Sequence, residues 1–319
     1  MRILIPGGAS YIGSWLVPHL LAEGHQVTVY DTLMFGNGFL PKDNGNLTIV
    51  KADVRDTDYW QKACAGHDTV IYLASISREL MCQQQPELAQ AVNVDCFAPD
   101  VEIAKAEGIK RFIYASSVAV YGSSETPMKE DTKQEPTTIY GQGKKACEEV
   151  LKSVQSSDFT TIVTRSASVC GYAPRMRLDL TINRMVHDAH RKGVINVEGG
   201  KQTRSHVHIQ DLSDFYKLLV TAPKEKIEGQ AFNVVMENQT ILESARMVQQ
   251  VFDITGSFIR IITTPRVDDR SYAIDGEKIM DLGFQPTRFI SHAVREIAEK
   301  FESGYWKDSL TNPIYQNML

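Results

Sequence analysis

Arg2-Ile3-Leu4-Ile5-Pro6-Gly7-Gly8-Ala9-Ser10-Tyr11-Ile12-Gly13 opens the chain and decides its fold. Ile3 to Ile5 read as a buried strand. Gly7 permits a tight turn after it, and Gly13 lets the following helix pack close to that strand. The helix N-terminus then presents free N–H groups and the positive end of its dipole. Such a turn can receive a dinucleotide pyrophosphate against backbone N–H groups around Ser10, Tyr11 and Ile12. A glycine-rich stretch alone is a weak signal; its place between a strand and a helix raises its value. Asp31 closes the next apolar run, where a carboxylate can accept hydrogen bonds from ribose hydroxyls and repel a 2′-phosphate.

Apolar β-branched runs recur at 3–5, 27–30, 47–50, 69–73, 111–115 and 160–164. Helical patterns fall between them, around 12–23, 57–65, 86–107 and 139–154. This alternation predicts an α/β fold: a doubly wound parallel sheet, covered by helices on both faces, with right-handed crossovers. Pro18 removes a backbone donor inside the first helix, so a local kink is expected there. After Arg165 the pattern loosens. A helix over about 179–192 precedes the turn-rich Glu198-Gly199-Gly200-Lys201. A strand at 231–235, a helix from 241 to 252, a short strand at 259–263 and a last helix over 291–302 follow. This half reads as a smaller C-terminal lobe that closes over the ligand edge of the sheet.

Composition narrows the class. The 319 residues are 43% hydrophobic and 23% charged, with a net charge of −5. No broad basic field is available for nucleic acid or an anionic membrane. Apolar runs fall far short of the ~20 residues that span a bilayer, and the start is too brief for a signal-peptide core. The cysteines at 64, 82, 96, 147 and 170 are odd in number and lack C-x-x-C spacing. A reducing, cytoplasmic compartment is therefore expected. His187 and His190 share a helical face, and His206 and His208 share a strand face. Neither pair has acidic or thiol partners at ligand spacing, so no metal is expected.

Ser116-Ser117 ends the fifth run, and Tyr140-Gly141-Gln142-Gly143-Lys144 opens the helix one crossover later. Residues four apart lie on one helical face, so Tyr140 and Lys144 can point together into a site. Free tyrosine ionises near pH 10. A nearby ammonium and a positively charged nicotinamide would favour the phenolate, allowing Tyr140 to move a proton while a hydride moves to or from the nicotinamide. Chance alone supplies about one Y-x-x-x-K in such a chain, so its position carries the weight.

With these motifs the chain resembles the extended short-chain dehydrogenase/reductases of the NAD-dependent epimerase/dehydratase kind, over nearly its whole length. The family's G-x-x-G-x-x-G opening matches Gly7, Ser10 and Gly13, with serine replacing the middle glycine. The resemblance implies a Rossmann domain over 1–170, with 206–238 returning to it, and a substrate-binding lobe mainly in 171–319. It places NAD against Asp31, the Asp53-Val54 pair, the Leu73-Ala74-Ser75 strand end and Asn93. It makes Ser117, Tyr140 and Lys144 the catalytic residues. Ser77, Arg78 and Glu79 would line the sugar pocket. Arg204 would hold the diphosphate of a sugar nucleotide, with Arg266 or Arg270 as the second phosphate contact, and Ser168 occupies the position of a family asparagine. The resemblance also implies a homodimer built on the helices at 86–107 and 139–154, with Ala146, Val150 and Leu151 at the interface.

In the family, 4,6-dehydratases carry an acidic pair just after the catalytic hydroxyl, and decarboxylases keep one glutamate there. Val118 and Ala119 stand here, and neither can transfer a proton. The expected activity is therefore NAD-dependent epimerisation of a nucleotide sugar through a 4-keto intermediate. A nucleotide-sugar 4-dehydrogenase or 4-ketoreductase is the alternative. Intact Ser117, Tyr140 and Lys144 argue against a non-catalytic NAD-binding scaffold.

Overall fold

The computed structural model describes residues 1–124, 126–254, 256–265, 271–306, 308, 309 and 311–317. Along the first half run β1 (Arg2–Pro6), α1 (Tyr11–Ala22), β2 (Gln26–Asp31), β3 (Leu47–Lys51), α2 (Thr57–Cys64) and β4 (Thr69–Tyr72). Then come α3 (Glu79–Gln84), α4 (Pro86–Gln90), α5 (Phe97–Ala106), β5 (Arg111–Ser117), α6 (Ile139–Val154) and β6 (Thr160–Ser166). The second half holds β7 (Ser168–Cys170), α7 (Thr181–Lys192), β8 (Val194–Glu198), β9 (Thr203–His208), α8 (Ile209–Thr221) and α9 (Lys224–Ile227). It ends with β10 (Gln230–Val234), β11 (Glu237–Thr240), α10 (Ile241–Ile254), β12 (Arg260–Thr264) and α11 (Ile290–Glu302).

Seven parallel strands form the main sheet in the order β10-β6-β5-β4-β1-β2-β3. Period-2 alternation sorts their side chains into two layers. Ile3 and Ile5 join a core with Leu16, Leu20 and Phe215 on one face. Leu4 joins Tyr72, Phe97, Phe112 and Leu151 on the other. Two-faced burial explains why the strands read as continuous apolar runs. The strand order reverses between β1 and β4, and an open α/β sheet binds its ligand at such a switch point. The second half brings β10 into this sheet beside β6. It also builds a small sheet β11-β9-β7, a pair β12-β8, and a separate core in which Val186, Val248 and Ile297 meet.

The expected helix over 86–107 is interrupted. Residues Ala91–Asp95 form a π-helical turn between α4 and α5, a local widening frequent at functional sites. α1 runs continuously through Pro18. The expected interface trio on α6 divides: Ala146 is exposed, whereas Leu151 is buried and Val150 packs against the sheet core. Leu151 therefore belongs to the sheet layer and not to a free helical face. Among the described residues no helix is long and apolar enough to cross a membrane.

Candidate active site

The cleft opens where β1, β2, β4 and β5 end, and Gly7, Asp31, Ala74, Ser117, Tyr140 and Lys144 line it together. Gly7 adopts φ +78°, and a Cβ there would stand 2.6 Å from the Ala74 nitrogen. At Gly13 a Cβ would stand 2.2 Å from the Gly8 carbonyl oxygen. Both positions therefore require glycine for close approach. Ser10 takes the middle-glycine position as the N-cap of α1; its Oγ accepts from the Gly13 N–H at 3.3 Å. The remaining first-turn N–H groups suit a diphosphate.

Asp31 accepts from the N–H of Ala9 at 3.0 Å and of Leu33 at 2.8 Å. Burial raises its carboxyl above the usual range, while these two hydrogen bonds and the charge of Arg175 oppose the rise. A carboxylate has about four acceptor positions, so two remain for ribose hydroxyls. Asp53 lies further along the cleft, where bonds from Arg55 lower its carboxyl. Val54 beside it is buried. Leu73, Ala74 and Ser75 form the cleft wall after β4. Asn93, on the π-helical turn, fixes that wall. Its Oδ1 accepts from Ser75 Oγ and Ile76 N–H, and its Nδ2 donates to Ile76 O.

Two caps hold the opening of α6. Thr138 Oγ1 accepts from Gly141 N–H at 3.0 Å. Glu79 accepts from Ile139 N–H at 3.3 Å and Tyr140 N–H at 3.1 Å, so its carboxylate also complements the helix dipole. Lys144 is 3% exposed. Its Nζ donates to Ala115 O at 2.7 Å and lies 5.4 Å from the Tyr140 ring centre. Burial pulls its ammonium down to about 8. Burial likewise pushes the Tyr140 phenol up to about 12, opposed by the charge of Arg177 and a hydrogen bond with Ser117. Without cofactor, then, burial outweighs the local cations and the phenol is protonated. The charge acting on Tyr140 from the protein is chiefly that of Arg177, a residue absent from the sequence-based expectations.

Arg177 is locked in place. Its Nε and Nη2 donate to the two carboxylate oxygens of Asp179 at 3.1 and 2.6 Å, and its Nη1 donates to Ser77 Oγ at 2.9 Å. Five donors minus three leaves two N–H groups on a guanidinium that lines the cleft. The only sequence signal for this element was the charge spacing in Arg175-Met176-Arg177-Leu178-Asp179.

Other expected substrate residues are dispersed. Ser77 and Ser168 line the cleft. Arg78 does not; its Nη1 donates to Gln316 O at 2.9 Å and ties down the C-terminal segment. Arg204 stands 5.2 Å over the ring of Tyr272, which does line the cleft. Arg266 and Arg270 lie outside the described residues.

The fold and cleft define a dinucleotide-binding enzyme with a tyrosine–lysine pair at its switch point. Residues 3–234 match the NAD dependent epimerase/dehydratase family, and the chain belongs to it. It is 28% identical over 282 residues to the UDP-N-acetyl-alpha-D-glucosaminuronate decarboxylase of Bacillus cytotoxicus, covering 83% of each chain. It is 27% identical over 273 residues to the UDP-glucose 4-epimerase of Streptococcus mutans, covering 78% of this chain and 81% of that one. The NAD complex of the Thermus thermophilus UDP-glucose 4-epimerase superposes with a TM-score of 0.83 at 21% identity, over 95% of this chain and 99% of the other. NAD is the cofactor of the family, and the glycine turn with its neighbouring carboxylate fits it.

Proposed function

We propose that the protein is a nucleotide-sugar 4-epimerase. One observation carries the choice within the family: Asp31 and Asp53 are the only carboxylates that line the cleft among the described residues, and both sit at the β2–β3 end. Among the described residues no carboxyl group lines the cleft beside Tyr140 to expel water or assist loss of carbon dioxide; the Glu79 carboxylate nearby is held by the backbone N–H groups of Ile139 and Tyr140. Val118 lines the cleft in that position.

NAD, when bound, supplies reversible hydride exchange at its nicotinamide. The glycine turn would hold its diphosphate, Asp31 its adenosine ribose, and Lys144 the nicotinamide end. Tyr140 accepts the proton of the sugar hydroxyl as that carbon is oxidised, and returns it after the 4-keto sugar has presented its other face. Ser117 hydrogen-bonds the same oxygen. Arg177 offers its two remaining N–H groups to oxygens of the sugar and favours the phenolate of Tyr140. A net 4-dehydrogenase or 4-ketoreductase would use the same first half-reaction.

Two further features support this setting. All five cysteines are unpaired, as in a reducing cytoplasmic compartment. A homodimer through the helical segments 86–107 and 139–154, where Ile139 is exposed, is the assembly expected; a monomer mass at micromolar concentration would exclude it. The activity is tested by incubating NAD-loaded protein with a panel of nucleotide sugars. Inversion at C4 is expected, and its loss in Tyr140→Phe with NAD binding kept. Accumulation of a 4-keto-6-deoxy or decarboxylated product would overturn the proposal.

A further inference from the structure

Arg175 lies between β7 and α7 and is 1% exposed, yet it lines the same cleft as Gly7, Ser10 and Asp31. Its backbone N–H donates to Ser14 Oγ at 3.1 Å, at the start of α1. Its guanidinium stands 3.9 Å over the ring of Phe35, in the loop after β2. The cation is thus held between the α1 N-terminus and the end of β2. Nη2 donates to Asn317 Oδ1 at 2.7 Å. Nε is buried without a hydrogen-bond partner, and among the described residues no carboxylate pairs with this side chain. The contrast with its neighbours is sharp: buried Arg165 holds Glu148, and Arg177 holds Asp179. Burial lowers its ionisation only to about 10, so the charge persists at neutral pH. The charges of Asp179 and Asp31 act on it only through space, and a buried cation with no bonded anion is unfavourable until one reaches it.

We propose that Arg175 reaches from the C-terminal lobe to bind the diphosphate of the dinucleotide, opposite the α1 N-terminus. The cofactor then joins the two halves of the chain, with helix N–H groups on one side of the anion and a guanidinium fork on the other. Asn317 presets the fork, so the C-terminal segment contributes to cofactor retention. This inference rests on the NAD reading above.

The test is calorimetric titration of the cofactor-stripped full chain with NAD, ADP-ribose, NADP and adenosine, for the wild type, Arg175→Met and Arg175→Lys. Loss of a charge-assisted bond should weaken NAD and ADP-ribose about 10- to 100-fold in Arg175→Met. Adenosine should bind all three chains equally, which also reports that the variants are folded. Arg175→Lys keeps the cation without the fork and should lose less than Arg175→Met; should Arg175→Met not fold, Arg175→Lys alone should still lose affinity for ADP-ribose and not for adenosine. Wild-type-like NAD affinity in these variants overturns the inference and leaves the cofactor reading standing. Parallel loss of adenosine, or a loss confined to NADP that would mark a 2′-phosphate contact, also overturns it. Failure of the wild type to bind NAD overturns both.

Discussion

Replacing Lys144 by Met should stabilise the cofactor-free chain while abolishing turnover. Lys144 is 3% exposed, and burial lowers its ammonium from 10.5 to about 8. Each tenfold change in an ionisation constant is worth about 1.4 kcal/mol, so keeping this charge at neutral pH costs the fold about 3 kcal/mol. Methionine fills a similar volume without the charge. It gives up the hydrogen bond to Ala115 O, worth about 1 kcal/mol. The net gain is about 2 kcal/mol, a rise in Tm of about 3–5 °C for a chain of this size. The pH dependence identifies the cause. A depressed lysine favours the folded state only when neutral, so the penalty is complete below pH 8 and fades as pH rises to 10.5. Differential scanning calorimetry of both chains across that window checks this. A Met variant that melts at or below the wild type at neutral pH rules out this charge penalty. So does a gap that persists unchanged above the upper value.

Asp31→Ala should narrow the preference for NAD over NADP, because it removes the like charge that would face a 2′-phosphate; competitive titration reads the ratio, and tighter NADP binding by the wild type would contradict the assignment. Tyr140→Phe should keep fold and NAD affinity yet lose about 10²–10⁴-fold in turnover, with Ser117→Ala intermediate. In the wild type, the Tyr140 phenol stands at about 12 without cofactor, and bound NAD should lower it; phenolate absorbance, with Tyr140→Phe as the blank, would show no such drop if the nicotinamide charge does not reach it. Glu148→Ala should destabilise by about 3–5 kcal/mol. It strips buried Arg165 of three hydrogen bonds and Ser116 Oγ of its acceptor. A shift in urea midpoint worth under 1 kcal/mol would show the pair to be unimportant.

Where the sequence was legible, periodicity and glycine chemistry made it so. The inner strands of the sheet follow from apolar runs buried on both faces, and β10 from Phe232 and Val234 in such a run. Gly7 and Gly13 could be assigned because a close approach leaves room for no other residue. Less was visible where tertiary contacts decide. The π-helical turn around Asn93 depends on its bonds to residues 75–76, which no local pattern records. β7 and β11 have three and four residues, and both find their place only by pairing with β9. Arg177 has no periodicity to announce it; its role rests on Asp179 and Ser77 holding its guanidinium in the cleft that Tyr140 also lines. Glu79 was expected near the sugar but caps α6, and Arg78 turned from the sugar pocket to the C-terminal segment, a partner more than 230 residues away.

In the proposed reaction, Tyr140 and NAD oxidise and re-reduce one sugar carbon within a single cleft. Nucleotide sugars deuterated at C4, given to the NAD-loaded wild-type enzyme, test it most directly. A C4-inverted product that retains its deuterium is expected, without build-up of reduced cofactor, and no conversion by Tyr140→Phe. Stoichiometric reduced cofactor, washout of deuterium to solvent, or equal turnover by Tyr140→Phe would contradict it.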